Sequence, residues 1–411
     1  MPRVIDEVLW DRRTGWLATR WFPVLVVCAM AGALVGSPLL SGGAEAWGYD
    51  YRAFRAGAEM TLSGELAAAY DPDRFAARLG HPDKPMYWMY APHGSMLLAP
   101  LGLGPWWLGG AMLFLSTAGA AYGIGFAVGG GRREGALVLC AGLPVLFALM
   151  LGQAAPVFGA LLAGALWILP RRPVAAGLML AVLTAKPQLG LLVPVFLVSR
   201  GQWRTVLSAC VGTAGLVASS LALFGADAWT AMAAQVGGPA ADFLSENLYA
   251  SMPTTQQYAR FLGASADAAG AVQLCVIALG AAAVWTGRAL PYRAHAALTL
   301  CAACAVLPYA WFYDWLPVMA AVLIAKREGL APTPLLWAVW LVPFASKLQE
   351  AMLTGTPGWL ALPLTNAVNL GEAAAVWGLI FMLVRPTLGT SALRPRPSAR
   401  RAGLPAPPAS A

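Results

Sequence analysis

The chain has 411 residues, 59% of them hydrophobic and 11% charged, with a mean hydropathy of +0.64. Soluble domains carry about 25% charged residues, and a folded chain leaves too much surface exposed for so few polar groups to cover, so a water-soluble protein is excluded and lipid is the solvent for most of the molecule. The net charge is +8 and the pI about 9.4, but the basic residues lie in short clusters between apolar runs, which points to membrane topology and lipid headgroups rather than nucleic acid.

Residues 1–20 are polar and 21–40 apolar. Ala44-Glu45-Ala46 resembles a signal-peptidase site, so a cleaved signal peptide is one reading; the length of the apolar run and the many that follow predict an uncleaved anchor instead. Basic clusters recur at Arg12/Arg13/Arg20, Arg132/Arg133, Arg171/Arg172, Arg200/Arg204, Arg288/Arg293, Lys326/Arg327 and from Arg385 onward. If all face the cytoplasm, each interval holds an even number of crossings. Apolar runs at 21–40, 107–128, 135–151, 154–169, 173–184, 187–199, 205–224, 267–287, 294–309, 315–325, 333–348 and 364–384 satisfy this, giving about twelve crossings with both ends inside. Several runs are shorter than the roughly 20 residues of a full span; they must be tilted, re-entrant or lining a cavity, and 90–104 adds a further embedded segment. The predicted fold is all-α and polytopic: a membrane domain over 21–384 with outer loops at about 41–89 and 225–266, a cytoplasmic N-terminus (1–20) and a disordered basic tail (386–411). All six cysteines, including the Cys301/Cys304 pair, lie in apolar runs and are expected to be small core residues rather than disulfide partners or metal ligands.

This topology places the unusual polar residues on the side away from the cytoplasm. In the first outer loop, Trp47-Gly48-Tyr49-Asp50-Tyr51-Arg52 sets an acid among aromatic rings, where desolvation raises a carboxylate pKa toward general-base work; the plainer reading of Asp50 from the residues alone is the N-cap of a helix over 51–62, with which a base role is compatible. Asp71 before Pro72 reads as a turn former. Tyr87-Trp88-Met89-Tyr90-Ala91-Pro92-His93 returns the chain to the membrane as an aromatic belt, with His93 a candidate ligand-binding side chain. Gly152-Gln153 lies at an outer helix end, where Gln153 either caps the helix or hydrogen-bonds a sugar. Lys186 in Thr184-Ala185-Lys186-Pro187 is an intramembrane cation, functional by default: it suits a phosphate, with Pro187 opening backbone N–H groups toward the anion. The alternative is a lysine snorkelling to the headgroups. Glu246 in the second outer loop belongs to a lid or to ordinary loop. Pro308-Tyr309-Ala310-Trp311-Phe312-Tyr313-Asp314-Trp315 puts an acid among aromatics suited to stacking on a sugar face, or an N-cap before the next helix.

These segments, in this order, resemble glycosyltransferase family 87, polytopic enzymes of the GT-C superfamily that use polyprenyl-phosphate sugar donors. The resemblance rests on the Asp50-Tyr51 loop with Gly64 and Tyr70, Tyr90-Ala91-Pro92 leading to Leu98-Ala99-Pro100-Leu101, Gly152-Gln153, Lys186-Pro187 and Pro308 through Asp314, over about residues 45–320. It implies an inverting hexosyltransferase, mannosyl by analogy with mycobacterial members that extend phosphatidylinositol mannosides, acting on a lipid or glycan acceptor at the outer face of an inner membrane. Asp50 is then the general base. Lys186, with Arg52 or Arg55, holds the donor phosphate, and Gln153, Tyr313, Asp314, Tyr51, Tyr90, His93 and Glu246 line the sugar or acceptor site. No cofactor is expected, a divalent metal being left open. The mycobacterial members carry histidine where this chain has Tyr313-Asp314, so sugar and acceptor are not carried over. A transporter or flippase of a lipid-linked sugar would use the same cation and aromatics without a base, and would show paired broken helices in two halves; Lys186-Pro187 has no such twin.

Overall fold

A computed structural model describes residues 48–80, 87–238, 252–336, 338–342 and 358–388, with residues 240, 243 and 345. The apolar run at 21–40, Glu246 and the tail from 389 lie outside the described residues. Everything described is helix, turn or loop, as the apolar runs predict. On the segment that opens the structure, α1 (Tyr49–Leu62) is followed by two short helices, α2 (Leu66–Ala69) and α3 (Pro72–Arg78), and by α4 (Pro92–Leu98), which enters the bundle. Then come α5 (Trp106–Val128), α6 (Arg133–Cys140), α7 (Leu143–Leu151), α8 (Ala155–Ile168), α9 (Pro173–Leu183), α10 (Val193–Ser199) and α11 (Trp203–Val236). The last third holds α12 (Thr255–Phe261), α13 (Ala266–Thr286), α14 (Tyr292–Ala305), α15 (Leu316–Glu328), α16 (Thr333–Val342) and α17 (Gly358–Leu388).

Among the described residues four helices are long and apolar enough to cross a membrane, within α5, α11, α13 and α17, or five if the bent pair α6–α7 is one span. The 23 residues of α5 carry no charge; at about 1.5 Å per residue they reach about 35 Å, the thickness of a hydrocarbon core with some tilt. The run predicted as a single crossing at 135–151 is broken by 58° between α6 and α7, where Pro144 at the start of α7 cannot continue the ladder. The long α11 runs past the predicted crossing to Val236, into the region predicted as loop, with a break at Gly225 (φ 73°, ψ 178°) that only glycine adopts readily. Trp229 Nε1 donates to Ser220 Oγ at 3.2 Å across that break. Beside it, α9 and α11 approach closely through small residues: a Cβ on Gly177 would lie 2.6 Å from Thr205 O, and one on Gly212 would lie 2.7 Å from Ala181 Cβ, the packing that lipid-embedded helices favour.

The middle of the bundle is the α14–α15 hairpin. Every residue of Ala294–Ala305 and of Leu316–Ala325 is buried, so the loop between them is held by the most enclosed part of the molecule. The basic clusters meet at the opposite end. Arg327 Nη1 donates to Val128 O at 3.2 Å, Arg327 and Arg293 both lie over the Trp167 ring, Tyr292 Oη donates to Leu166 O at 2.5 Å, and Arg200 Nη2 donates to Leu290 O at 2.6 Å. The ends of α5, α8, α10 and α15 and the starts of α6 and α14 therefore share one basic face.

Candidate active site

Opposite that face, Asp50 lies in the first turn of α1. It is not the cap: Gly48 is, in the left-handed conformation (φ 61°), and its N–H donates to Met150 O at 3.2 Å. The carboxylate is free to face the end of α7 because the cap position falls two residues earlier. There Asp50 Oδ2 accepts from Gln153 Nε2 at 3.0 Å. The amide can present only this edge, because Gln153 Oε1 accepts from Ala154 N at 3.0 Å and the main chain is fixed by Gln153 N to Ala148 O at 2.7 Å and by Thr117 Oγ1 to Gln153 O at 3.1 Å. Gly152 explains the preceding residue: φ is 72°, and a Cβ there would lie 2.4 Å from Tyr51 Cβ, so only glycine lets this loop lie against α1. Burial raises the Asp50 pKa from 3.8 to about 6; the Gln153 bond and Lys186 pull it down, and Asp314 pushes it up. Desolvation wins, as it does for carboxyls in apolar surroundings.

Lys186 ends the turn after α9. With Pro187 beginning a short 3₁₀ turn, its backbone leaves the helix (φ −130°, ψ 70°), and its side chain, mostly buried, forms an ion pair with the fully buried Asp314. The partners are 128 residues apart. Asp314 is positioned by its own loop: its N–H donates to Trp311 O at 2.9 Å, and its Oδ2 accepts from Trp311 N at 3.0 Å. Tyr90 and Tyr313 lie within the fields of both Asp50 and Asp314, and Trp311 stacks on Tyr313 with 6.2 Å between centroids. Acid, cation and aromatic wall thus converge from α1, the α7–α8 turn, the α9 turn and the α14–α15 loop.

The profile of glycosyltransferase family 87 matches residues 88–311, more than half of the chain. The chain belongs to glycosyltransferase family 87. No curated protein and no solved structure matches it. This membrane glycosyltransferase carries Tyr90, His93, Gln153 and Lys186 inside the matched stretch, while Asp50 precedes it and Asp314 follows it.

The remaining sequence candidates of this family 87 member divide. Tyr51 anchors α1 to α5, donating to Trp106 O at 2.6 Å with its ring against the indole. Arg55 pairs with Glu59 at 2.6 Å and donates to Leu101 O and Gly104 O at 3.1 and 2.8 Å, so its guanidinium straps the loop before α5. Arg52 is partly exposed and two residues, about half a turn, from Asp50, so the two share no face of α1. Asp71 caps α3, accepting from Asp73 N and Arg74 N. His93 is brought to the Lys186 turn: its ring faces Thr184 Oγ1 at 3.1 Å and stacks on Trp229 at 5.7 Å, and a Cβ on neighbouring Gly94 would lie 3.0 Å from Ala185 Cβ. Thr184 donates its own proton to Ala181 O at 2.5 Å, so it must accept from His93 Nε2–H. That fixes the tautomer and leaves Nδ1 as a buried acceptor without a partner. Sequence reasoning missed Thr117, Thr184 and Trp229; the last lay in a stretch predicted as loop, beyond the break at Gly225. Among the described residues no three His, Cys, Asp or Glu side chains gather in a way that could hold a metal ion.

Proposed function

We propose that this enzyme transfers a hexose, mannose by family analogy, from a polyprenyl-phosphate donor to a hydroxyl of a lipid or glycan acceptor, with inversion and with Asp50 as general base. The observation that carries the proposal is the Asp50–Gln153 hydrogen bond, which orients a carboxylate of pKa about 6 within the electrostatic reach of Lys186 and Asp314. The acceptor hydroxyl oxygen attacks the anomeric carbon while Asp50 takes its proton. The bond from that carbon to the phosphate oxygen breaks, and its electron pair leaves with the polyprenyl phosphate. Lys186 has three N–H donors and gives one to Asp314, which leaves two for phosphate oxygens. Charge stabilisation of this kind in a water-poor site is a large catalytic contribution. Tyr90, Tyr313 and Trp311 offer ring faces to the sugar, the two tyrosines also their hydroxyls, and His93 Nδ1 accepts from a sugar or acceptor hydroxyl. The site opens on the outer side of a bacterial inner membrane.

The test is transfer of radiolabelled sugar from polyprenyl-phosphate mannose to a total lipid extract by the purified protein and by Asp50→Asn. Labelled product from wild type and none from the variant is the expected result. A variant as active as wild type would remove Asp50 as the base. A wild type that labels nothing with any hexosyl donor, yet moves the donor between leaflets of a vesicle, would replace transfer by transport.

A further inference from the structure

At the basic face, away from the candidate active site, a narrow cleft opens between three helices. Val138 of α6, Val322 and Leu323 of α15, and Leu336 and Trp340 of α16 form apolar walls, and Lys326 and Thr333 stand at the rim. Lys326 Nζ donates to Thr333 Oγ1 at 2.9 Å. The surroundings are strongly positive. Arg327 follows Lys326, its guanidinium 3.0 Å from where a Cβ on Gly130 would sit, which brings the exposed Arg132 and Arg133 at the start of α6 to the same rim. Arg293 joins through the shared Trp167 ring. Among the described residues the acids at this rim are Glu134, in the first turn of α6, and Glu328, 3.8 Å from Arg293 and 3.9 Å from Arg327. Among the described residues five cations therefore face two acids. Gln153 and Trp167 are 14 positions apart along α8, which puts this rim about 20 Å from Asp50's partner, so the cleft is no part of the candidate active site.

An apolar slot whose mouth is lined by cations matches a molecule with a hydrocarbon chain joined to an anion. We propose that the cleft binds one anionic glycerophospholipid of the leaflet at the basic face, with an acyl chain between Val138, Leu323 and Leu336 and the phosphate against Lys326 and Arg327. Charge complementarity selects the anionic headgroup over a zwitterionic one, since basic clusters at a membrane surface attract acidic lipids. The ligand is a lipid and not free phosphate, because Lys326 lies where the apolar walls end. This inference does not depend on Asp50 or on the sugar transferred.

The experiment uses the full chain purified in neutral detergent. Phosphatidylglycerol and phosphatidylcholine of identical acyl chains are added, and the melting temperature and the lipid retained in native mass spectrometry are read. Phosphatidylglycerol is expected to raise the melting temperature by several degrees and to be retained, phosphatidylcholine to do neither, and inorganic phosphate and soluble glycerophosphoglycerol to have no effect. Lys326→Gln is expected to abolish the difference between the two lipids and Lys326→Arg to keep it. Val138→Phe, which fills the slot and leaves every charge, is expected to lose retention. Equal effects of the two lipids, full retention by Lys326→Gln, or stabilisation by glycerophosphoglycerol equal to that by the lipid would each overturn the proposal. Should Val138→Phe fail to fold, the Lys326 pair and the headgroup comparison decide alone.

Discussion

A carboxyl whose pKa has been raised to about 6 by burial is a better base than an ordinary aspartate and a worse contributor to stability. The folded-state value lies above the unfolded value of 3.8, so the site favours the protonated acid: the stability it lends is complete below 3.8 and is lost as pH rises through about 6. At pH 8 the ionised group costs the fold up to about 3 kcal/mol, at 1.36 kcal/mol per pKa unit. Asp50→Asn removes that burden, and its melting temperature at pH 8 should equal or exceed the wild-type value while transfer falls by at least a hundredfold; a variant that is less stable and inactive would instead make Asp50 structural. Because the base must be ionised, kcat/KM should rise with pH and level off above about 6. Gln153→Ala should move that midpoint upward, since the lost hydrogen bond is one that lowers the Asp50 pKa. Lys186 and Asp314 behave differently. Removing one member of a buried ion pair strands the other, at about 3–5 kcal/mol, whereas replacing both with apolar residues is far better tolerated. Asp314→Asn should therefore lower the melting point more than the double variant Lys186→Met with Asp314→Leu, with transfer absent in both; thermal unfolding across the cycle checks this.

At the scale of elements, the α7–α8 turn is what orients the Asp50 carboxylate on α1. Gly152 adopts φ 72° and has Tyr51 Cβ 2.4 Å from where its own Cβ would be, so Gly152→Ala must push the turn off α1 and carry Gln153 away from Asp50. A displacement near 1 Å in a reacting geometry costs about a hundredfold. The variant should fold, lose ten- to a hundredfold in transfer rate, and show an alkaline shift of the pH midpoint like Gln153→Ala; a rate loss with an unmoved midpoint would place the defect elsewhere. This also shows where sequence reading stops. That Asp50, Lys186 and Asp314 are anomalous was legible from their apolar neighbours, each read locally. That Gln153 bonds Asp50 and that Lys186 pairs with Asp314 was not, because pairings over 103 and 128 residues depend on how helices stack, which hydropathy does not encode. Arg55 illustrates the converse. It has the charge and the position of a phosphate ligand, yet the carbonyls of Leu101, Leu103 and Gly104 hold it, and nothing in the pattern distinguishes a strap from a ligand. The helical stretch after Gly225 was hidden for a local reason: a glycine amid small residues reads as the start of a loop, whereas the backbone kinks at Gly225 and is helical again to Val236, with Trp229 bonded back to Ser220 across the kink.

For the whole molecule the arginines are the organising signal. Clusters spread from Arg132 to Arg327 converge on one face through Val128 O, Trp167, Leu166 O and Leu290 O, while the acids and aromatics gather at the other. All-helical architecture and this polarity were readable from composition and clustering; the number of crossings was not, since helices such as α8, α9 and α10 are too short for a full span alone and only packing decides how deep each goes. The polarity has a direct consequence. In a cysteine-free background, Asp73→Cys on the exposed flank of α3 and Arg171→Cys after α8, both exposed, stand on opposite faces. A membrane-impermeant thiol reagent added to intact cells should label Asp73→Cys and spare Arg171→Cys, with the order reversed in inside-out vesicles. The positive-inside rule predicts a cytoplasmic arginine face; labelling of both positions from one side would mean that the two ends do not lie across a membrane. Labelling of Arg171→Cys alone from outside would turn the molecule over, and the acceptor would then have to come from the cytoplasmic leaflet.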